Sequence, residues 1–239
     1  MIPFLPASLI PRSPQVFLRS FSSKKATGSS YRYLNRQQRD PFVKQAKAEQ
    51  YRARSSYKLI EMLDKHKLLP SAHNICVVDC GAAPGGWSQV IARRVSQPKD
   101  MKERIVAVDL LDMRPIANVK FIQGDFLEPD IKQQVVEALD GRKVGLILSD
   151  MAPSFTGHHA TDAARTMNLC EDVLQFADEF LGYGGCLVLK FFMGGGEAEL
   201  RRALKEGFEK VVVEKPDASR KQSSEQYFVC IRKKAADRW

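Results

Sequence analysis

The sequence predicts an α/β fold: a doubly wound, Rossmann-like arrangement around a seven-stranded, mostly parallel sheet whose last strand is antiparallel. Three observations lead to it. Short apolar runs recur after residue 70, among them NICVVDC at 74–80 and VGLILS at 144–149, and runs this continuous belong to strands buried on both faces. Helical patterns separate most of these runs, as in successive βαβ units. The last two runs, 210–214 and 226–231, have no helical pattern between them, so the final strand returns antiparallel to its neighbour.

The elements follow in order. Asp40-Pro41 marks a helix start, with Asp as N-cap and Pro at the first helical position, where its missing amide hydrogen costs nothing. A basic helical region runs on to about residue 66, and Ser55-Ser56 marks a break and a second start. Strand one covers 74–80, and a helix begins after Gly86. Strands at 104–109 and 119–123 come next, then a helix from Pro129 to 139 and a strand at 144–149. A long helix at 161–181 precedes a strand at 186–192 (CLVLKFF). A helix at 197–208 and the strands at 210–214 and 226–231 complete the pattern.

A chain of 239 residues holds one domain with a short extension. At 44% hydrophobic and 27% charged it is globular material, which excludes disordered, collagen-like and coiled-coil chains. No apolar run approaches the ~20 residues that cross a bilayer, so no membrane span is expected. The net charge of +9 is unevenly distributed. Residues 1–39 carry Arg12, Arg19, Lys24, Lys25, Arg32, Arg36 and Arg39 and no acid, which leaves 30 basic and 28 acidic side chains for the rest. An arginine- and serine-rich, acid-free segment has the composition of an organelle transit peptide. A secretory signal fits worse, because Arg12 follows the apolar stretch instead of preceding it. Composition leaves a plastid open beside the mitochondrion; the expected organisation is a mitochondrial transit segment at 1–39 and one domain at 40–239, acting as a monomer in the mitochondrial matrix. Residues 41–58 and 215–239 are locally basic, which fits either a solvated surface or a surface that holds phosphates. The five cysteines, Cys76, Cys80, Cys170, Cys186 and Cys230, show no metal-ligand spacing and read as buried, reduced thiols. No metal site is expected.

In an open parallel sheet the ligand lies outside the carboxyl ends of the strands. Strand one ends in a glycine-rich loop containing Gly81, Ala83, Pro84, Gly85, Gly86 and Trp87. It lacks the spacing and the lysine of phosphate-binding loops. Strand two ends in Asp109-Leu110, where an acid can accept both ribose hydroxyls. Strand three ends in Gly124-Asp125-Phe126, where Asp125 can accept an adenine amino group with Phe126 against the ring. Each acid alone could equally be a helix cap. At three successive strand ends they describe an adenosyl pocket without phosphate, which points to S-adenosylmethionine.

A second constellation collects at the same edge. Strand four ends at Asp150, strand five reaches Lys190, and the antiparallel last strand begins at Glu225. Lys58 lies on the basic helix before strand one. A lysine inside CLVLKFF is unusual, since lysine is seldom buried unpaired. It can snorkel from a strand end. Alternatively, desolvation and a second cation, Lys58, make it a general base, with Asp150 and Glu225 orienting the pair.

Taken together, the blocks D-P-F-V-K at 40–44, R-S-S-Y-K-L at 54–59, D-C-G-A-A-P-G-G-W-S-Q at 79–89, D-L-L at 109–111, Q-G-D-F at 123–126, S-D-M-A-P at 149–153, Leu189-Lys190 and K-P-D-A-S-R at 215–220 resemble the FtsJ-type (heat-shock) ribosomal RNA 2′-O-methyltransferases. The resemblance spans residues 40–234 and implies the S-adenosylmethionine-dependent methyltransferase fold. It implies a catalytic tetrad of Lys58, Asp150, Lys190 and Glu225, with Lys190 as base. It also implies cofactor contacts at Gly85, Trp87, Asp109, Asp125 and Asp150. Ser154 and Thr156 depart from the family pattern in a loop on the substrate side. For an organelle-addressed member, the implied substrate is a uridine in the A-loop of the mitochondrial large-subunit ribosomal RNA, naked or within the assembling subunit. Two alternatives remain: a tRNA 2′-O-methyltransferase of the same family, and an rRNA-binding assembly factor whose methylation is incidental.

Overall fold

The strand order is β3-β2-β1-β4-β5-β7-β6, in a computed structural model that describes residues 38–69, 75–95 and 103–235. Residues 1–37 of the proposed transit segment, and Asn74 of the first expected strand, lie outside the described residues. The strands are β1 (Ile75–Cys80), β2 (Ile105–Asp109), β3 (Val119–Gln123), β4 (Lys143–Ser149), β5 (Leu181–Phe192), β6 (Phe208–Glu214) and β7 (Glu225–Lys233). The helices are α1 (Pro41–Ala48), α2 (Ser56–His66), α3 (Gly86–Arg94), α4 (Pro129–Leu139), α5 (His159–Phe180) and α6 (Glu197–Gly207).

The first five strands pair parallel, and β7 runs antiparallel to both β5 and β6, as the missing helix before it requires. Asp40 caps α1 by accepting from the amides of Phe42 (3.0 Å) and Val43 (3.4 Å), with Pro41 at the first helical position. The break at Ser55 separates α1 from α2. The long apolar strands are covered on both sides. Cys76, Val78 and Cys80 of β1 pack with Val135 of α4 and Val173 and Phe176 of α5 on one face. Val77, Leu146 and Leu148 pack with Leu59 and Met62 of α2 and Ile91 of α3 on the other. All five cysteines are buried, four on strands and Cys170 on α5.

One boundary differs substantially from expectation. Strand β5 begins at Leu181, five residues before the apolar run at 186. Leu181 pairs with Val144, and a shift of register between Val144 and Leu146 absorbs the irregular glycine-rich stretch after it. Gly182, Gly184 and Gly185 disfavour a strand intrinsically, so pairing with β4 overrides propensity there.

The chain winds outward from β1 through β2 to β3, then restarts on the other side of β1 with β4. Between β1 and β4 the direction reverses, and the crevice outside their carboxyl ends is where such sheets hold ligands. The register aligns Cys80 with Ser149, Ser149 with Leu189, and Lys190 with Tyr227. The loops after β1, β2, β4 and β5 and the start of β7 therefore share one edge.

Candidate active site

The floor of the crevice begins at Gly81, with φ +73°. A Cβ there would lie 2.0 Å from Cγ of Met151, so the loops after β1 and β4 can touch only because this residue has no side chain. Gly85 has φ +103°, and a Cβ on it would come within 2.9 Å of Ile116, Met113 and the Arg52 guanidinium. Arg52 is committed to this region: its Nη1 donates to the carbonyls of Pro84 (3.1 Å) and Arg114 (2.6 Å), and Nη2 to that of Pro115 (2.8 Å). It ties the glycine loop to the loop after β2.

Beside these loops opens a cleft of about 690 Å3, a size suited to a small-molecule ligand. Gly81, Ala83, Asp109, Leu110, Asp125, Phe126 and Asp150 of the expected cofactor residues line it. Asp109 accepts from the amides of Ala83 (2.8 Å) and Leu111 (2.8 Å), one on each carboxylate oxygen. It therefore fixes the rim of the cleft from both sides. Asp125 accepts from the Leu127 amide at 3.0 Å. Phe126 is only 7% exposed and packs edge-on against Phe176, so it offers the cleft little of its ring. Leu110 and Leu111, 67% and 69% exposed, overhang the opening instead.

Pro84, Gly85, Gly86 and Trp87 continue the same loop into α3. Gly86 packs on Ser56, whose hydroxyl donates to its carbonyl at 3.1 Å. Trp87 is 3% exposed; its indole donates to the Ser55 carbonyl at 2.9 Å, and its ring lies 5.8 Å from that of Tyr227. These residues dock α3 on the segment leading into α2 and so hold the loop in shape. An apolar tryptophan next to a glycine loop carries no sequence signal that separates ligand contact from core packing.

The cleft wall is acidic. Asp172 of α5 joins Asp109, Asp125 and Asp150 on it, with Arg165 as a cationic partner on the same helix. Burial and the carboxylates of Asp125 and Glu171 push the Asp172 pKa up. Arg165, Leu169 and Asp172 were legible as one helical face (i, i+4, i+7) but carried no strand-end signal. Behind the wall Asp79 is buried; burial pushes its carboxyl up to about 7, against the Ser88 hydroxyl that donates to it at 2.6 Å.

The four residues of the expected tetrad converge. Lys58 Nζ donates to Glu225 Oε1 at 2.6 Å, and Lys190 Nζ lies 3.2 Å from Asp150 Oδ1 and donates to the Asp150 carbonyl. Between the two ion pairs stands a residue that sequence reasoning missed. The Tyr227 hydroxyl donates to Asp150 Oδ1 at 2.6 Å and accepts from Lys58 Nζ at 3.2 Å. Its signal was available: it is two residues after Glu225, hence on the same face of β7, and directly opposite Lys190. Ser219 adds an end to the chain by donating to Glu225 Oε1 at 3.0 Å. Burial pushes the Glu225 carboxyl up, but the charge and hydrogen bond of Lys58, with help from Lys190 and Ser219, outweigh it and leave the pKa below the usual value. Lys190 is 9% exposed as a residue, so the lysine in the apolar strand is neither snorkelling freely nor unpaired.

Asp150 belongs to both assemblies: it lines the cleft and it holds Lys190. A ligand in the cleft and a hydroxyl at Lys190 would meet across this one carboxylate. Among the described residues no group of three or more His, Cys, Asp or Glu side chains could hold a metal ion, and no helix is long and apolar enough to cross a membrane.

Comparison with known proteins gives a consistent answer. The model of the FtsJ-like methyltransferase family matches residues 51–233. The ribosomal RNA large subunit methyltransferase E of Rickettsia akari is 43% identical over 219 residues, covering 91% of this chain and 95% of that protein. A Plasmodium falciparum crystal structure described as a ribosomal RNA methyltransferase superposes with a TM-score of 0.68 at 31% identity, covering 78% of this chain and all of that one. Human methyltransferase-like protein 13, at 15% identity and a TM-score of 0.50, shares the fold.

Proposed function

Because the chain belongs to the FtsJ-like methyltransferase family, we propose that it methylates the 2′-hydroxyl of a uridine in the A-loop of mitochondrial large-subunit ribosomal RNA, with S-adenosylmethionine as methyl donor. The observation that carries this reading is Asp150, shared between an acidic cleft and a buried lysine pair. S-adenosylmethionine, when bound, supplies an electrophilic methyl group on a cationic sulfonium. The four carboxylates of the cleft, set against one arginine, favour a cation electrostatically. Asp109 and Asp125 line the cleft at the ends of β2 and β3 and would serve as acceptors for a ribose and an adenine, and no lysine is among the described residues that line it.

Lys190, with its amine in the neutral form, would take the proton of the ribose 2′-hydroxyl as that oxygen accepts the methyl group. The sulfonium would keep the C–S electron pair, and the proton would end on Lys190 Nζ. Asp150 and Tyr227 fix that amine in position, while the Lys58–Glu225 pair keeps Tyr227 in its place. Most of the rate advantage of such a site comes from holding the reacting groups in line. The acid-free arm at 1–39 supports a mitochondrial address, and the basic segments at 41–58 and 215–239 support an RNA partner.

The test is transfer from labelled S-adenosylmethionine to mitochondrial large-subunit RNA or its precursor particles, mapped by nuclease digestion and mass spectrometry. A 2′-O-methyluridine in the A-loop, absent with Lys190→Ala, is the expected result. Label on a base or on tRNA would overturn the substrate, and near-normal turnover by Lys190→Ala would overturn the base. A reporter fused to residues 1–39 should enter mitochondria; retention in the cytosol would refute the address.

A further inference from the structure

We propose that Phe155 and Phe192 form a stacking platform for the base of the nucleotide being methylated. The inference rests on the 2′-O-methyltransferase reading above and adds the subsite that presents the nucleoside to Lys190.

Phe192 ends β5, two residues beyond Lys190, and its ring centroid lies 5.8 Å from Lys190 Nζ. Phe155, in the loop after β4, meets it edge-on with centroids 5.0 Å apart and planes at 87°. Phe155 is 54% exposed and the neighbouring Met193 45%. An open hollow of about 210 Å3 lies beside the two rings, bordered by the first turns of α5 and the glycine stretch after β5. Large exposed aromatic side chains cost solvation unless something covers them, and on loops they commonly mark a binding function.

The ring is held in place, not left on a loose loop. Arg165 Nη1 donates to the carbonyl of Ser154 at 3.1 Å. Asp162 accepts from the Thr156 amide (2.7 Å), the Thr156 hydroxyl (2.8 Å) and the Gly157 amide (3.0 Å). The backbone on both sides of Phe155 is thus tied to α5, the helix that also walls the cleft. This is the arrangement of a preorganised contact.

The occupant follows from the position of Lys190. A ribose 2′-hydroxyl within hydrogen-bond reach of Nζ has its own base on the adjacent ring carbon, so that base arrives next to Phe192. Every base has a π-face, and stacking on an aromatic side chain is the common way to hold an unpaired one. The departures from the family pattern at Ser154 and Thr156 flank Phe155 and so fall on this platform.

The test uses the intact protein, the large-subunit RNA it methylates, and the same RNA with an abasic ribose at the target nucleotide. With normal RNA, Phe155→Ala should lower kcat/KM by roughly 5- to 150-fold, the factor expected for one lost base–aromatic stack. Phe155→Leu should be nearly as poor, since it keeps apolar bulk without a π-face, and Phe155→Trp should restore the rate. Cofactor affinity and melting temperature should stay at the wild-type values in all three. With abasic RNA the wild type should lose a similar factor, and Phe155→Ala should add no further loss. Rescue by Phe155→Leu, or losses from the variant and the abasic site that multiply, would overturn the inference and assign the platform to cover of the core or to a neighbouring base. A wild type that methylates no large-subunit RNA would overturn the reaction and this subsite with it; an active wild type matched by Phe155→Ala would overturn the subsite alone.

Discussion

Tyr227→Phe removes a single oxygen at the centre of the site and tests whether the two ion pairs act as one unit. That oxygen donates to Asp150 at 2.6 Å and accepts from Lys58 at 3.2 Å. The ring would keep its place beside Trp87, 5.8 Å between centroids, so packing volume is conserved. Neither charged partner would be orphaned, because Asp150 retains Lys190 and Lys58 retains Glu225. A hydrogen bond to a charged group is worth about 1.5–3 kcal/mol. If the bond serves to fix Asp150, and through it Lys190, that energy appears in the transition state as a fall in kcat of roughly 10- to 150-fold. If it serves only the fold, the same energy lowers the melting temperature by about 3–12 °C in a unit of this size, with kcat unchanged. Initial rates of methyl transfer at saturating cofactor, read beside a thermal melt, separate the two. A variant within twofold of wild-type kcat would refute the claim that Tyr227 positions the base.

Asp109→Ala frees the amides of Ala83 and Leu111 together, so both rims of the cleft should loosen and S-adenosylmethionine affinity should fall at least tenfold by calorimetry; unchanged affinity would remove Asp109 from the ribose site. Asp79 titrates near 7 when folded against about 4 unfolded, so its contribution to stability is full below pH 4 and is lost as pH rises toward 7. Urea unfolding of Asp79→Asn should therefore lack a decline, on the order of 4 kcal/mol, that the wild type shows between pH 4 and 7, and parallel curves would refute it. Glu225 behaves oppositely: its carboxyl is held below 4.5, so the stability of its pairing with Lys58 is present above that pH and lost on further acidification. Lys58→Met should cost more stability than Lys58→Met with Glu225→Gln, because the single change leaves a buried carboxylate without its cation; a double-mutant loss equal to the sum of the two single losses would show the pair to be uncoupled.

The fold was legible because the strands of a sheet buried on both faces are apolar at successive positions and separated by helical patterns. Val119–Gln123 and Pro129–Leu139 match the expected elements residue for residue. Reading failed where tertiary pairing decides: the glycines at 182, 184 and 185 argue locally against a strand, yet β4 recruits Leu181 and the glycine-rich stretch beyond it. The site shows the same division. Strand ends are marked in sequence by the change from apolar to polar, and that found Asp109, Asp125, Asp150, Lys190 and Glu225. Tyr227 lies inside an apolar run where an aromatic residue looks like core. That the Tyr227 hydroxyl joins the site follows only from the register of β7 against Lys190.

The arrangement explains why a lysine can be built into the end of a buried strand. Two cations and two carboxylates alternate along Glu225, Lys58, Tyr227, Asp150 and Lys190, with the neutral phenol as the link. The group is electrically balanced, so burying it costs far less than burying any of its charges alone. Lys190 ends the chain, its amine held by Asp150 and 5.8 Å from the Phe192 ring centroid. Lys58, by contrast, stands between two partners, Glu225 and Tyr227. Pairing with Asp150 is what makes the Lys190 amine tolerable in the strand, and on the proposed reading that amine must shed its proton before it can accept one from a hydroxyl.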